Sequence, residues 1–448
     1  MFILILLFIS IAFIVFSTTR LKLHPFLALL AACFLFGLFS GMPAGQIIQS
    51  IEKGFGETIG KIGIIIVAGL ILGIFLEKSG GAFTMARIIL RIIGPKRVYA
   101  AMSLIGYVVS IPVFCDSGFI ILSPLNKSLS RQAGLSIVGT SIALALGLLS
   151  THTMVPPTPG PVAAAGILGA DLGLVITIGM IVGLLALVGT NFFAQKFAGK
   201  VSVEPPQQPD PEQLNSESDQ YPAYTPSALK SFLPIIIPIL LIIINSIAEY
   251  PSHPFGEGKI KNVLSFIGNP VVALLTGMVL SFFLPEKFER KMLAPDGWVG
   301  EALKGAAIII LVTGAGGAFG KVLQNSDLGR ILGDMIGESK LGLWLPFIIA
   351  AALKTAQGSS TVAMITTASM ISPLATFLGF DSELSKAMAV VAIGAGSCVV
   401  SHANDSYFWV VTQLSGMNVK QGYKLMSTGS GILGLTSIII LTIINFFI

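Results

Sequence analysis

The sequence predicts an all-α polytopic membrane protein made of two inverted-topology repeats, and three observations predict it. Of its 448 residues 54% are hydrophobic and only 11% charged, whereas about a quarter of the residues in soluble chains are charged. The apolar residues fall in runs that approach or exceed the length of a helical span, about 20 residues. The order of runs and interruptions in the first half then returns in the second.

The runs lie at 2–16, 23–41, 59–76, 98–124, 136–170, 172–193, 229–247, 263–284, 302–320, 341–373, 384–414 and 426–448. The first has no basic leader and no small-residue cleavage pattern, so it reads as a membrane anchor and first helix; a cleaved signal peptide is the weaker alternative.

Runs 98–124 and 341–373 are too long for one span and too short for two spans and a turn. Polar or proline-containing sequence interrupts each, IPVFCDSG at 111–118 and KTAQGSS at 354–360. A re-entrant hairpin, entering and leaving on one side, fits both, at about 98–127 and about 341–373. Lys96 and Arg97 precede the first hairpin and Lys127 and Arg131 follow it, so both of its ends face the cytoplasm. Most of the 27 lysines and arginines fall on that side along the same path, as the positive-inside rule expects. The second hairpin then enters from the outer face.

Runs 136–170 and 384–414 are expected to be broken helices. In LLSTHTMVPPTPGP, 148–161, Pro156, Pro157, Pro159, Gly160 and Pro161 prevent a continuous helix. SCVVSHANDS, 397–406, interrupts the later run. Backbone groups freed at such breaks must be buried in protein or line a watery cavity, as they do at transporter binding sites. Each half thus reads as a glycine-rich helix, a charged loop, a hairpin and a broken helix, in opposite orientations. The expected domains are residues 1–199 and 228–448, joined by a polar cytoplasmic linker at 200–227. Its proline-rich core, EPPQQPDPEQLNSESDQYPAYTP at 204–226, has the composition of an exposed segment without a stable core. Nothing in 251–258 points to a task.

Charged groups are costly at membrane depth unless paired or solvated, so the few placed there are functional candidates. Asp116, His152, His402 and Asp405 are candidates for carrying a coupled proton, since burial favours a neutral carboxyl group and imidazole titrates near neutrality. A satisfied structural histidine is the plainer reading of His152 and of His402. Ser117, Gly118, Ser150, Thr151, Thr153, Thr158, Lys354, Thr355, Gln357, Ser359, Ser360, Ser401, Asn404 and Ser406 are candidates for binding a small polyhydroxylated solute. Lys354 has two open roles: pairing with a substrate carboxylate, or a salt bridge to Asp116 or Asp405 that holds the hairpin. An anion could also sit on helix N-termini with no lysine involved; those starts are expected at Ser117 and Gly118, at 160–163, at 358–360, and at Asp405 and Ser406.

Cys33, Cys115 and Cys398 lack metal-ligand spacing, and no GxxxxGK[ST] is present. TGAGGAFG at 313–320 lacks the βαβ context of a dinucleotide site and reads as helix packing. No cofactor, metal, nucleotide or nucleic acid is therefore expected. The formal charge of +5 bears on topology rather than on nucleic-acid affinity.

IPVFCDSGFIILSPL at 111–125, ALALGLLSTHTMVPPTPGPVAAAG at 143–166, TGAGGAFGKVL at 313–323, LKTAQGSSTVAMIT at 353–366 and SHANDSYFW at 401–409 together resemble the gluconate permease family of bacterial proton symporters. The resemblance runs over essentially the whole chain, with the linker the least family-like part. It implies an elevator-type ion-transporter architecture, a homodimer in the bacterial cytoplasmic membrane, and uptake of gluconate or a related sugar acid with protons. Because the family also carries idonate, fructuronate and D-serine, the resemblance leaves the hydroxy acid open. A sodium-coupled carboxylate transporter, an anion channel and a membrane-embedded enzyme are the competing readings; no protease or transferase constellation supports the last.

Overall fold

The computed structural model describes residues 2–94, 97–201, 224–249, 258–326 and 342–447. Most of the expected linker, the segment 250–257 and Lys96, one of the charges flanking the first hairpin, lie outside them. All regular structure among the described residues is helical. Six helices there are long and apolar enough to cross a membrane, or seven if one bent pair is a single span.

The first half runs α1 (Phe2–Thr19), α2 (Pro25–Phe39), α3 (Ala44–Lys78), α4 (Gly81–Ile93), α5 (Val98–Val109), α6 (Cys115–Gln132), α7 (Ile137–Met154), α8 (Pro159–Leu168) and α9 (Leu172–Lys196). The second runs α10 (Ala228–Ala248), α11 (Lys259–Ile267), α12 (Pro270–Ser281), α13 (Trp298–Gln324), α14 (Trp344–Gln357), α15 (Ser360–Ile371), α16 (Glu383–Ser397), α17 (Ser406–Leu414) and α18 (Val419–Phe447), whose 423–427 stretch has π geometry.

Three elements depart from the sequence reading. The expected charged loop after the first glycine-rich run contains α4, which buries Ala82, Phe83, Met85, Ala86 and Ile89 and spaces Arg87 and Arg91 one turn apart. That glycine-rich run is the second part of α3, a helix of 35 residues and therefore about 52 Å long. The run 263–284 is no single helix, because α11 and α12 meet at a 56° bend. There Gly268 ends α11, Asn269 accepts the Val271 amide, and Pro270 opens α12.

The first hairpin can be read from side-chain contacts. Helix α5 runs parallel to α7: the Ser103 carbonyl lies against Gly147, and Thr151 Oγ1 donates to the Tyr107 carbonyl at 2.8 Å. Helix α6 runs the other way along α7, with Gly118 against Leu148, Asn126 Nδ2 donating to Ser141 Oγ at 2.8 Å, and Ser130 bonded to Thr140. The chain therefore reverses between α5 and α6. The second hairpin turns at Gly358, whose φ of +80° is left-handed, a conformation that favours glycine. A Cβ there would also sit 2.1 Å from the Asn404 carbonyl oxygen, so residue size and backbone conformation demand glycine together.

The inversion shows in how equivalent helices pair. The glycine-rich helices α3 and α13 are antiparallel: Asn325 Nδ2 donates to Ser50 Oγ at 2.9 Å, Gly54 packs on Gly317 and Ala318, and Gly314 packs on Phe55. Small residues let the two backbones approach, the usual basis of membrane helix packing. Helices α9 and α18 pair likewise, Gly189 against Thr436 and Gly429 against Phe193. Across the halves, α6 packs on α17 and α8 packs on α15, so each hairpin's second arm rests on the second part of the other half's broken helix.

Candidate functional site: a cavity at converging helix starts

The interlocking of hairpins and breaks brings the starts of three half-helices together. A cavity of about 340 Å³ is lined by Phe114, Cys115 and Asp116 from the start of α6, and by Leu149 and His152 from α7. Gln357 to Thr361 line it from the second hairpin, and Asn404 to Tyr407 from the start of α17. Its volume is at the lower end of the range for small-molecule sites, about 300–1,000 Å³. Another cavity, about 450 Å³, lies between α3 and α13 on one side and the far ends of α8 and α15 on the other.

The helix starts differ in their caps. Ser359 caps α15 by accepting the Val362 amide at 3.3 Å, and Asp405 caps α17 by accepting the Tyr407 amide at 3.1 Å. Phe114, which precedes α6, offers no side-chain cap. The first amides of a helix have no partner within the helix; α6 begins without a side-chain cap from Phe114, and Phe114, Cys115 and Asp116 line the cavity. Such a start favours an anion through both its N–H groups and its macrodipole.

Lys354 is 1% exposed and does not line the cavity. Its Nζ donates to Asp405 Oδ2 and to the Gly358 carbonyl, both at 2.6 Å. Ser401 Oγ donates to the same carboxylate oxygen at 2.5 Å, so both oxygens of Asp405 are engaged. Of the two roles open to Lys354, the geometry shows the internal ion pair. Nearby, His402 Nε2 donates to the Thr355 carbonyl at 2.8 Å and Asn404 Nδ2 to the same oxygen at 2.9 Å. These bonds fasten the break between α16 and α17 onto the second hairpin.

Asp116 is different. Ser406 Oγ donates to its Oδ1 at 3.3 Å, and Cys115 makes a long 3.9 Å contact with Oδ2. Among the described residues, no cation stands within ion-pair distance of it. It is the cavity carboxylate whose charge is not already compensated.

The structure therefore brings together Asp116, His152, Gln357, Ser359, Ser360, Asn404, Asp405 and Ser406 of the sequence candidates. Ser117 and Gly118 stand within the first turn of α6 without lining the cavity. Thr151, Thr153 and Thr158 spend their hydroxyls on the carbonyls of Tyr107, Leu149 and Val155, and Ser150 lies against Gly183. Thr355 bonds back to the Ala351 carbonyl, Ser401 serves Asp405, and His402 stacks on Tyr423. Sequence reasoning missed Phe114, Cys115, Leu149 and Tyr407, because it sought polar groups while part of the wall is apolar. Tyr407 is 2% exposed, and its hydroxyl donates to the Ala145 carbonyl, tying α17 to α7. Its signal was its place directly after the SHANDS motif.

The family model described as GntP family permease matches residues 2–447. The chain belongs to the GntP permease family. It is 34% identical to the gluconate permease of Pseudomonas aeruginosa, over 95% of this chain and 94% of that one. It is 31% identical to the D-serine transporter DsdX of Escherichia coli, over 95% of this chain and 94% of that one. The crystal structure of the YdaH transporter of Alcanivorax borkumensis, described as having an unusual topology, superposes with a TM-score of 0.68 at 15% identity, covering 95% of this chain and 99% of that one; the two share a fold. This GntP family member is thus a multi-pass permease of the cytoplasmic membrane and not an enzyme.

Proposed function

We propose that the protein is a secondary active transporter that takes up gluconate or a closely related sugar acid together with protons. The observation that carries this is the cavity where the uncapped start of α6 meets the starts of α15 and α17 beside an uncompensated carboxylate, Asp116. In this reading the substrate carboxylate sits on the helix-start amides, and its hydroxyls meet Ser359, Ser360, Asn404 and Ser406. A proton on Asp116 removes one negative charge before a second, the substrate's, enters. Proton and substrate then stabilise the same state, which is the linkage that coupling requires. The two membrane halves contribute one hairpin and one broken helix each to a unit that moves against the α3–α13 scaffold in an elevator-like step, alternately opening the cavity to either side.

A second reading is a symporter for D-serine or another small hydroxy acid. It is favoured by the same Asp116, whose free carboxylate could receive an ammonium, and by the likeness to DsdX.

Labelled gluconate uptake into proteoliposomes, with and without an inward proton gradient in sodium-free buffer, tests both. The expected result is gradient-stimulated gluconate uptake that D-serine competes with weakly. An absolute need for sodium, or no response to the gradient, would overturn the coupling. The reading includes a homodimer, each protomer with its own cavity. Light scattering in detergent should then give twice the 47.0 kDa chain mass, and a single-chain mass would remove it.

A further inference from the structure

Helix α4, between α3 and the first hairpin, has no part in the cavity. At 13 residues it is about 20 Å long, too short to cross a hydrocarbon layer of about 30 Å. Lys78 precedes it and Arg97 follows it, and residues 79–115 contain four basic side chains and no acidic one. The helix therefore lies along one face of the membrane, the face that these charges mark as cytoplasmic.

Its burial is one-sided. Ala82, Phe83, Met85, Ala86 and Ile89 turn into the protein, which leaves Arg87, Ile88, Arg91 and Ile92 on the other side. At helical spacing these four form two rows side by side, Arg87 with Arg91 and Ile88 with Ile92. Both arginines are exposed, and Ile92 is 78% exposed. Among the described residues no carboxylate stands within ion-pair distance of either arginine. Like charges one turn apart repel, so the pair is disfavoured without an anion beside it.

The start of α10 adds to this face. It packs on α4, and Thr84 Oγ1 donates to the Pro226 carbonyl at 3.0 Å. Leu229 and Lys230 follow within the next turn, both exposed, the leucine 68%.

Two kinds of surface thus stand together: guanidinium forks, which match the oxygens of a phosphate, and aliphatic side chains that favour removal from water. A free phosphate ion satisfies only the first. The linker residues 204–220 supply five acidic side chains but a single leucine, so they too match the charge and not the apolar rows. A phospholipid with an anionic headgroup satisfies both.

We propose that the exposed face of α4, with the start of α10, binds an anionic phospholipid of the inner leaflet. Its phosphate sits on Arg87 and Arg91, and its acyl chains run along Ile88, Ile92 and Leu229. Clustered basic residues at the cytoplasmic surface attract such lipids; here the adjoining aliphatic row fixes where the headgroup ends. The site is separate from the cavity and does not depend on which acid is carried.

The test is binding of a fluorescent phosphatidylglycerol to the purified full chain in neutral detergent, competed by unlabelled phosphatidylglycerol, phosphatidylcholine and inorganic phosphate. Phosphatidylglycerol should displace the probe about tenfold more effectively than phosphatidylcholine, and millimolar phosphate should not displace it. Arg87→Gln combined with Arg91→Gln should weaken binding about thirtyfold, and either change alone about fivefold. The single changes decide the location if the double variant is not monodisperse. Lys420→Gln combined with Lys424→Gln, at another exposed pair four residues apart, should leave binding nearly unchanged. Equal displacement by the two lipids, displacement by phosphate, or equal losses in the two double variants overturns the proposal. So does a preference for phosphatidylglycerol that appears only after Asp210, Glu212, Glu217 and Asp219 are changed to their amides, which would give the face to the linker.

Discussion

Lys354→Ala should leave little folded protein and no measurable uptake. The lysine is 1% exposed, and its ammonium neutralises an Asp405 carboxylate that is 6% exposed. Removing one partner of a buried ion pair leaves the other charge stranded, at a cost of about 3–5 kcal/mol, a large share of the stability of an ordinary domain. Two further bonds fail with it. The Gly358 carbonyl loses its donor, and the junction between the second hairpin and the start of α17 loses its central tie. Removing both charges should cost less than removing one, so Lys354→Met combined with Asp405→Asn should melt above Lys354→Met alone. Thermal melting in detergent, read with the amount of monodisperse protein, checks this. A Lys354→Ala protein that melts like the wild type but binds gluconate weakly would place the lysine in substrate binding after all.

Asp116→Asn should separate transport from its driving force. Asn keeps the size and the acceptor for Ser406 Oγ but carries no titratable proton. Gluconate exchange across a membrane loaded on both sides should persist. Accumulation against a gradient should fall to the equilibrium level. With one proton per substrate, a gradient of one pH unit supports about tenfold accumulation, since about 1.4 kcal/mol is a factor of ten. The expected loss is therefore about tenfold, read as the steady-state ratio of internal to external label. Asp405 is the poorer candidate, because its charge is already balanced by Lys354 at 2.6 Å. If Asp116→Asn still concentrates gluconate on a proton gradient, the coupled proton is carried elsewhere, and His152→Asn becomes the variant to measure.

The sequence by itself determined the class of molecule, the hairpins and the breaks. Hydropathy records whether a segment can lie in lipid, and Pro156, Pro157, Pro159 and Pro161 forbid continuous helix through local sterics alone. Motif-level likeness carried the family. Local chemistry would also have demoted some candidates, since Ser and Thr within helices commonly bond the carbonyl one turn back, as Thr153 does with Leu149 and Thr355 with Ala351.

Only the tertiary structure decided which polar groups meet. Asp116 and Ser406 are 290 positions apart, and Lys354 and Asp405 are 51 apart; no periodicity encodes such pairings. The first arises because α6, the second arm of one half's hairpin, packs on α17 of the other half; the second arises within one half, where the end of α14 meets the break between α16 and α17. That packing consumes Lys354, Ser401 and His402 in internal bonds and leaves Asp116 with capacity to spare. A residue's type gives the bonds it can make, and its neighbours in space decide which of them remain for a ligand.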